Sequence, residues 1–262
     1  MTARDLTVRL GAGAGAVDAI QAIDVEIEPG SFVCLLGPSG CGKSTLVGAL
    51  AGHVRPSFGQ ILVDDAPVGR PHPDRGLVFQ QHTLFPWLTV LENVAFGLKM
   101  RGQRKAERQA QAQAMLELVG LQDFADFHPA ELSGGMQQRA EIARVLVNRP
   151  RVLLMDEPFG ALDAQTRALM QRQLLDTWSR VRTTVVFITH DIDEALFLAD
   201  RVLVMSARPG RIVADLPIGF TRPRSLDILT APEFAVLKRQ CIDLLADERT
   251  QPLRRLSPLA AA

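Results

Sequence analysis

The segment GPSGCGKST, Gly37 to Thr45, lies between the apolar runs SFVCLL and LVGALAG and fits the spacing G-x-x-x-x-G-K-[ST]. Gly37, Gly40 and Gly42 permit a tight turn whose backbone N–H groups can surround phosphate oxygens. A helix that starts just after the turn adds its positive end. Lys43 would then reach the β and γ phosphates of a nucleoside triphosphate, and the Ser44 hydroxyl would ligate Mg²⁺. A glycine-rich turn with an exposed lysine is the plain alternative, but the strand before and the helix after are the context that phosphate binding requires.

Three more apolar runs deliver polar residues at their ends. VLLMDEP places Asp156 and Glu157 side by side. Phosphoryl transfer to water needs one carboxylate to hold a metal and another to orient or deprotonate the water. Gln80 follows GLVF and His190 follows TTVVFIT. Open α/β sheets bind ligands beyond the C-terminal ends of their strands, so these positions converge on one crevice. There His190 would contact the γ-phosphate, and Gln80 would sense the metal and the water. LSGGMQQR, Leu132 to Arg139, opens another helix with a hydroxyl and bare glycine backbone, a second phosphate cradle. One γ-phosphate does not need two cradles in one chain, which suggests that the second serves another chain's nucleotide; the residues alone leave cis and trans open.

These groups need a scaffold. SFVCLLG, GLVFQ, RVLLMDE, TTVVFITH and RVLVMSA read as strands buried on both faces, separated by helix-length segments, and predict a largely parallel sheet in an α/β fold. LTVRL, AIDVEIEPG and GQILVDDAPV alternate apolar and polar residues, as strands of a half-exposed antiparallel sheet do. Between Gln81 and Pro150 the strand pattern gives way to helical candidates, LTVLENVAFGLKM, RKAERQAQAQAMLELVG and GGMQQRAEIARVLVN. The first half of the second is expected to be solvated. PEFAVLKRQCIDLL is a further helix, with Phe234, Leu237, Cys241 and Leu244 on its apolar face.

Composition narrows the class. The 262 residues are 47% hydrophobic, enough for a substantial core. Lys plus Arg (29) balances Asp plus Glu (29), so no general excess of charge points to nucleic acid. Cys34, Cys41 and Cys241 form an odd, unpaired set that fits free thiols in a reducing cytosol. The N-terminus MTARDLTVRL lacks the apolar stretch of a signal peptide, and no apolar run approaches the roughly 20 residues of a membrane helix.

Taken in order, these motifs resemble the ATP-binding subunit of ABC transporters over nearly the whole chain. Gly37, Pro38, Ser39, Gly40, Cys41, Gly42, Lys43, Ser44 and Thr45 correspond to the Walker A loop and Gln80 to the Q-loop. LSGGMQQR corresponds to the signature, VLLMDEP to Walker B, Asp163 of GALD to the D-loop and His190 of ITHD to the switch histidine. The resemblance implies a P-loop NTPase (RecA-like) core with an antiparallel β subdomain and an inserted helical subdomain. As one ATPase domain over 1–262, it would comprise the nucleotide-binding core and β subdomain (1–80 and 151–215), the helical signature subdomain (81–150) and a short C-terminal extension (216–262). It implies ATP and Mg²⁺ as cofactors, the metal held by Ser44, Gln80 and Asp156, and catalysis by Glu157 as base with His190, Gln80 and Lys43. It also implies a head-to-tail dimer, in which Ser133 and Gly135 of one chain close on ATP bound at Lys43 of the other, with Gly134, Gln137 and Asp163 also among the nucleotide-binding residues.

LFPWLTVLENVAFGLKMRG and PGRIVADLPI resemble the importer branch for nitrate, sulfonate, taurine and similar oxidised solutes. That branch implies transmembrane permease subunits, an extracytoplasmic solute-binding protein acting indirectly, no nucleic acid, and a place on the cytoplasmic face of the inner membrane. The permease would dock near Phe85, Pro86 and Trp87; Phe85 and Trp87 are equally open to being core of the helical insert. One departure stands out: GAGAGAV, Gly11 to Val17, carries no aromatic residue to stack on adenine, so either adenine packs on Val17 and alanines or binding is weakened by the missing stack, and lower base selectivity and ATP affinity are expected. Two other readings are a soluble ABC-type ATPase without a transport role and a P-loop kinase. The neutral charge balance counts against nucleic-acid work, and the signature with Glu157 counts against transfer to a small acceptor.

Overall fold

In this computed structural model, residues 1–11 and 13–255 are described; Ala12, one of the alanines beside the expected base site, and the end of the C-terminal extension, 256–262, lie outside the described residues. The strands are β1 (Thr2–Leu10), β2 (Val17–Glu26), β3 (Phe32–Leu36), β4 (Phe58–Val63), β5 (Ala66–Pro67), β6 (Arg75–Val78), β7 (Val152–Asp156), β8 (Thr184–Thr189), β9 (Arg201–Met205) and β10 (Ile212–Pro217). The helices are α1 (Lys43–Ala51), α2 (Val90–Met100), α3 (Lys105–Leu118), α4 (Gly134–Leu146), α5 (Ala164–Val181), α6 (Ile192–Leu198) and α7 (Pro232–Arg255). They fall into two units: Met1–Glu28, Phe32–Arg70 and Phe187 onward form the first, Pro29–Ser31 and Pro71–Val186 the second.

In the first unit the alternating segments form an antiparallel sheet of order β2-β1-β4-β5. Leu6 and Val8 of β1 are buried while Arg9 faces outward. The continuous apolar runs behave differently. Every residue of β3 and β8 is buried, and β3 pairs in parallel with β9, Val33 opposite Arg201 and Leu36 opposite Val204. The end of β8 borders β3 on its other side. β10, antiparallel to β9, is a strand that was not expected; its half-exposed IVADLP suits an edge. The extension closes on α6: Arg222 donates to Leu198 O at 2.6 Å, and Arg224 donates to Phe197 O and Ala199 O at 2.8 Å each, cations set against the carbonyl end of a helix. Phe234 and Cys241 of α7 are buried on the expected face.

In the second unit β6 and β7 run parallel, Arg75 opposite Val152 and Val78 opposite Met155, and the start of β8 borders β7. Three helices pack around Val90, Val94 and Leu98 of α2, Ala112 and Leu116 of α3, and Ala140 and Ala143 of α4. The spacing of these residues is the helical repeat that turns one face inward. Only Ala112 and Leu116 of α3 are buried, so its early turns are solvated as expected. Thr89 and Glu92 form a reciprocal capping box that starts α2. The helix-length segment expected between β7 and β8 forms the long helix α5, whose core residues had not been identified. It is polar along most of its length and buries Met170, Leu174, Leu175 and Trp178 at helical spacing, with Trp178 Nε1 donating to Thr183 O at 2.7 Å.

Candidate functional site

The nucleotide loop is built within the first unit. β3 ends at Leu36 and α1 begins at Lys43. Gly42 serves as N-cap of α1 with φ 105° and gives it no side-chain hydrogen bond. A Cβ there would stand 2.7 Å from Ala19 O and 2.8 Å from Ile20 Cγ2, so only glycine fits. The first turn of α1 thus carries N–H groups that its cap side chain does not satisfy, the arrangement that suits an anion. Lys43 is 5% exposed, and its ammonium donates to Gly37 O at 2.8 Å and Pro38 O at 3.0 Å, folded along the loop that it would serve. Ser44 beside it is exposed. Burial pushes the Cys41 thiol up, with Lys43 pulling the other way, so at neutral pH this side chain is a protonated packing group.

The loop rests on a residue for which no local signal exists. Gly210 N donates to Ala19 O at 2.9 Å, Gln21 N donates to Gly210 O at 2.9 Å, and Gly210 abuts the carbonyl of Cys41. Ser206 stiffens this turn by donating to Ala207 O and Pro209 O and accepting from Arg211 N. His190 follows β8 on a short corner. Asp191 N donates to Thr189 Oγ1 at 3.0 Å, and Asp191 caps α6 through Glu194 N at 3.1 Å, leaving the imidazole exposed between them.

The second unit carries the carboxylates. Asp156 is the last residue of β7, and Glu157 follows with φ 45°, a left-handed conformation that a non-glycine residue adopts only under constraint. Gly160 N closes the turn onto Glu157 O at 3.1 Å. Gln80 is brought to the same place: a Cβ on Gly160 would lie 3.8 Å from Glu157 Oε2 and 3.9 Å from Gln80 Nε2. Asp163 caps α5 by accepting from Gln165 N and Thr166 N at 3.0 Å, and the Thr166 side chain first, then these backbone bonds, hold its carboxyl below the usual range. Ser133 caps α4 through Met136 N at 3.4 Å. Gly134 and Gly135 lie against Leu162 and Thr166, so the start of α4 and the Asp163 turn are neighbours. Gln137 points back, donating to Pro129 O at 2.8 Å, and steadies the approach to Ser133.

The segment after Gln80 is also in this unit. Asn93, fully buried, accepts from Phe85 N at 2.8 Å and donates to Phe85 O, Leu88 O and Thr89 O. Phe85 is half-buried with its ring 4.7 Å from Phe96, whereas Trp87 is 71% exposed and outside the core. Phe85, Phe96, Met100, Arg101, Arg144 and Val145 line an open groove of about 590 Å³. In the first unit, at the expected base site, Leu10 and Val17 face each other across β1 and β2, 42% and 48% exposed. Leu10 had not been singled out.

Residues 20–160 match the family described as ABC transporter. The taurine import ATP-binding protein TauB of Rhizobium johnstonii is 48% identical over 243 residues, 91% of this chain and 92% of the relative. The nitrate import ATP-binding protein NrtD of Synechocystis sp. is 47% identical over 243 residues, 90% of this chain and 91% of the relative. Among solved structures, the ATP-binding cassette MJ0796 in its post-hydrolysis dimer bound to ADP and Pi superposes with a TM-score of 0.72 at 31% identity, covering 84% of this chain and 99% of that one. With a P-loop NTPase fold and the family's motifs in their order, the chain belongs to the ABC transporter family and is an ATP-binding ATPase of that family.

Proposed function

We propose that the chain is the ATP-hydrolysing subunit of an ABC importer for a small oxidised solute such as nitrate, taurine or another sulfonate, working beneath a separate membrane permease. The observation that carries this reading is the groove at Phe85 and Phe96 with exposed Trp87 at its side, an apolar, aromatic-rich concavity with arginines at its rim and the character of a protein-docking surface. The nitrate and taurine import relatives support the solute class and favour import over a soluble, non-transport role. No helix among the described residues is long and apolar enough to cross a membrane.

In this reading Gly37 to Thr45 bind the phosphates of ATP and Lys43 neutralises them. Leu10 and Val17 pack on the base in place of an aromatic ring. Ser44, Asp156 and Gln80 supply the hard oxygen donors that suit Mg²⁺, which when bound offsets phosphate charge. Glu157 takes the proton of the attacking water, and His190 steadies the γ-phosphate side. A second copy, head to tail, presents Ser133, Gly134 and Gly135 with Asp163, so closing the dimer completes both sites. The permease places the complex at the cytoplasmic face of the inner membrane, and an extracytoplasmic binding protein delivers the solute.

Uptake of labelled nitrate, taurine and an alkanesulfonate by cells lacking the chain tests the reading. Loss of uptake of one solute, restored by the wild type and not by Glu157→Gln, is expected. Unchanged uptake of all three would remove the solute class.

A further inference from the structure

Two side chains one turn apart on α4 grip the segment that follows Gln80. Glu141 is 1% exposed, and its Oε1 accepts from Thr83 N and, at 3.1 Å, from Leu84 N. Arg144 donates to Thr83 O at 2.8 Å and to the Thr83 hydroxyl, and its guanidinium lies 5.4 Å from the centre of the Phe85 ring. The i, i+3 spacing puts both on one face of the helix. A carboxylate withdrawn from water is a costly way to hold a loop, tolerated where hydrogen bonds and a nearby cation take up its charge. Here it seizes two successive backbone N–H groups, which fixes the direction of the chain as well as its distance from the helix.

The placement on α4 gives the grip its meaning. The helix spans 13 residues, about 20 Å at 1.5 Å per residue, with Ser133 at its start and the grip in its later half. Phe85 and Arg144 are themselves walls of the groove. A body pressing on Phe85 therefore pushes on α4 through Arg144 and Glu141 and not on a loose loop. Asn93 locks the far end of the same segment to α2, so Thr83 to Thr89 is held at both ends.

We propose that Glu141 and Arg144 are positioning residues that fasten the Gln80–Phe85 segment to the signature helix, so that an occupant of the groove and the Ser133 end of α4 move as one piece. This rests on the reading that the groove receives the permease. Neither side chain is assigned to touch ATP. Their role lies in transmitting groove occupancy to the ATPase.

The test uses the complex drawn from native membranes through a tag on this chain, with wild type, Glu141→Ala and Glu141→Gln compared. Turnover is measured for the chain alone and for the complex, beside amide hydrogen exchange at Thr83 and Leu84. Glu141→Ala is expected to assemble normally and keep its turnover as a lone chain. Its stimulation by the complex should fall about fivefold or more, the scale on which such couplings change. Exchange at the two amides should rise at least about tenfold. Glu141→Gln, whose amide oxygen still accepts, should retain most of the stimulation. Equal stimulation in wild type and Glu141→Ala would overturn the proposal, as would parallel losses in the lone chain and the complex, which denote a merely structural role. If the wild-type chain draws no membrane protein, the importer reading fails first and the proposal falls with it.

Discussion

The α-carbon of Gly210 packs so tightly against the carbonyl oxygen of Cys41 that a Cβ added there would overlap it, although 169 positions of chain separate the turn from the nucleotide loop. Gly210→Ala must therefore move the loop. We expect its KM for ATP to rise about tenfold, equivalent to roughly 1.4 kcal/mol of binding. Gly69→Ala, with open space around its α-carbon, serves as the silent control. Unchanged KM in Gly210→Ala would show that the loop has slack.

Glu157, the base in the proposed function, has a left-handed backbone. Replacing it with glycine releases a strain on the order of 1 kcal/mol. Thermal unfolding should then find Glu157→Gly at least as stable as Glu157→Gln, while neither turns over ATP. A Glu157→Gly variant markedly less stable than Glu157→Gln would contradict the strain.

Asn93 holds four backbone groups in a site without solvent. Asn93→Ala orphans several of them, and about 3 kcal/mol of stability should be lost in urea unfolding. Thr89→Ala, which removes only the capping hydroxyl of α2, should cost about 1 kcal/mol. Equal losses in the two would remove the distinction drawn between a loop anchor and a helix cap.

Burial pushes the Cys241 thiol up to about 11 from an ordinary value of 9.0. The unfolded chain releases this proton from pH 9 upward while the folded chain keeps it, so stability declines through that interval and levels off above about pH 11. The contribution is on the order of 2 kcal/mol. Unfolding midpoints of Cys241→Val across pH 8 to 11 should fall less steeply than those of the wild type; parallel curves would refute the assignment.

Val17 faces Leu10 where the family resemblance leads one to look for an aromatic ring. Val17→Tyr should tighten ATP by on the order of 1 kcal/mol, about fivefold in Kd. Equal affinity by calorimetry would mean that the base packs elsewhere.

Much of the candidate site could be read ahead because its motifs are local. The strand, turn and helix around Gly37 to Thr45 are contiguous, and Phe32 to Leu36 and Thr184 to Thr189 are apolar at nearly every position because both faces are covered. β10 escaped notice for the converse reason: an edge strand with Asp215 and Pro217 outward has little apolar signal. Helix α5 hid its four core residues among arginines and glutamines. Gly210 and Leu10 were illegible in principle, since what matters about each is a neighbour brought near by β-pairing. The exposure of Trp87 likewise had to come from packing, because an aromatic residue in a helical insert reads the same buried or bare.

All three thiols are enclosed: Cys34 in β3, Cys41 within the nucleotide loop, Cys241 on the inner face of α7. To a maleimide in buffer the folded chain is therefore almost blank. A single new cysteine at an exposed position such as Ser133 would be the one fast-reacting handle, and a bifunctional reagent or a spin label placed there would report on a partner chain without any native sulfur first having to be engineered away.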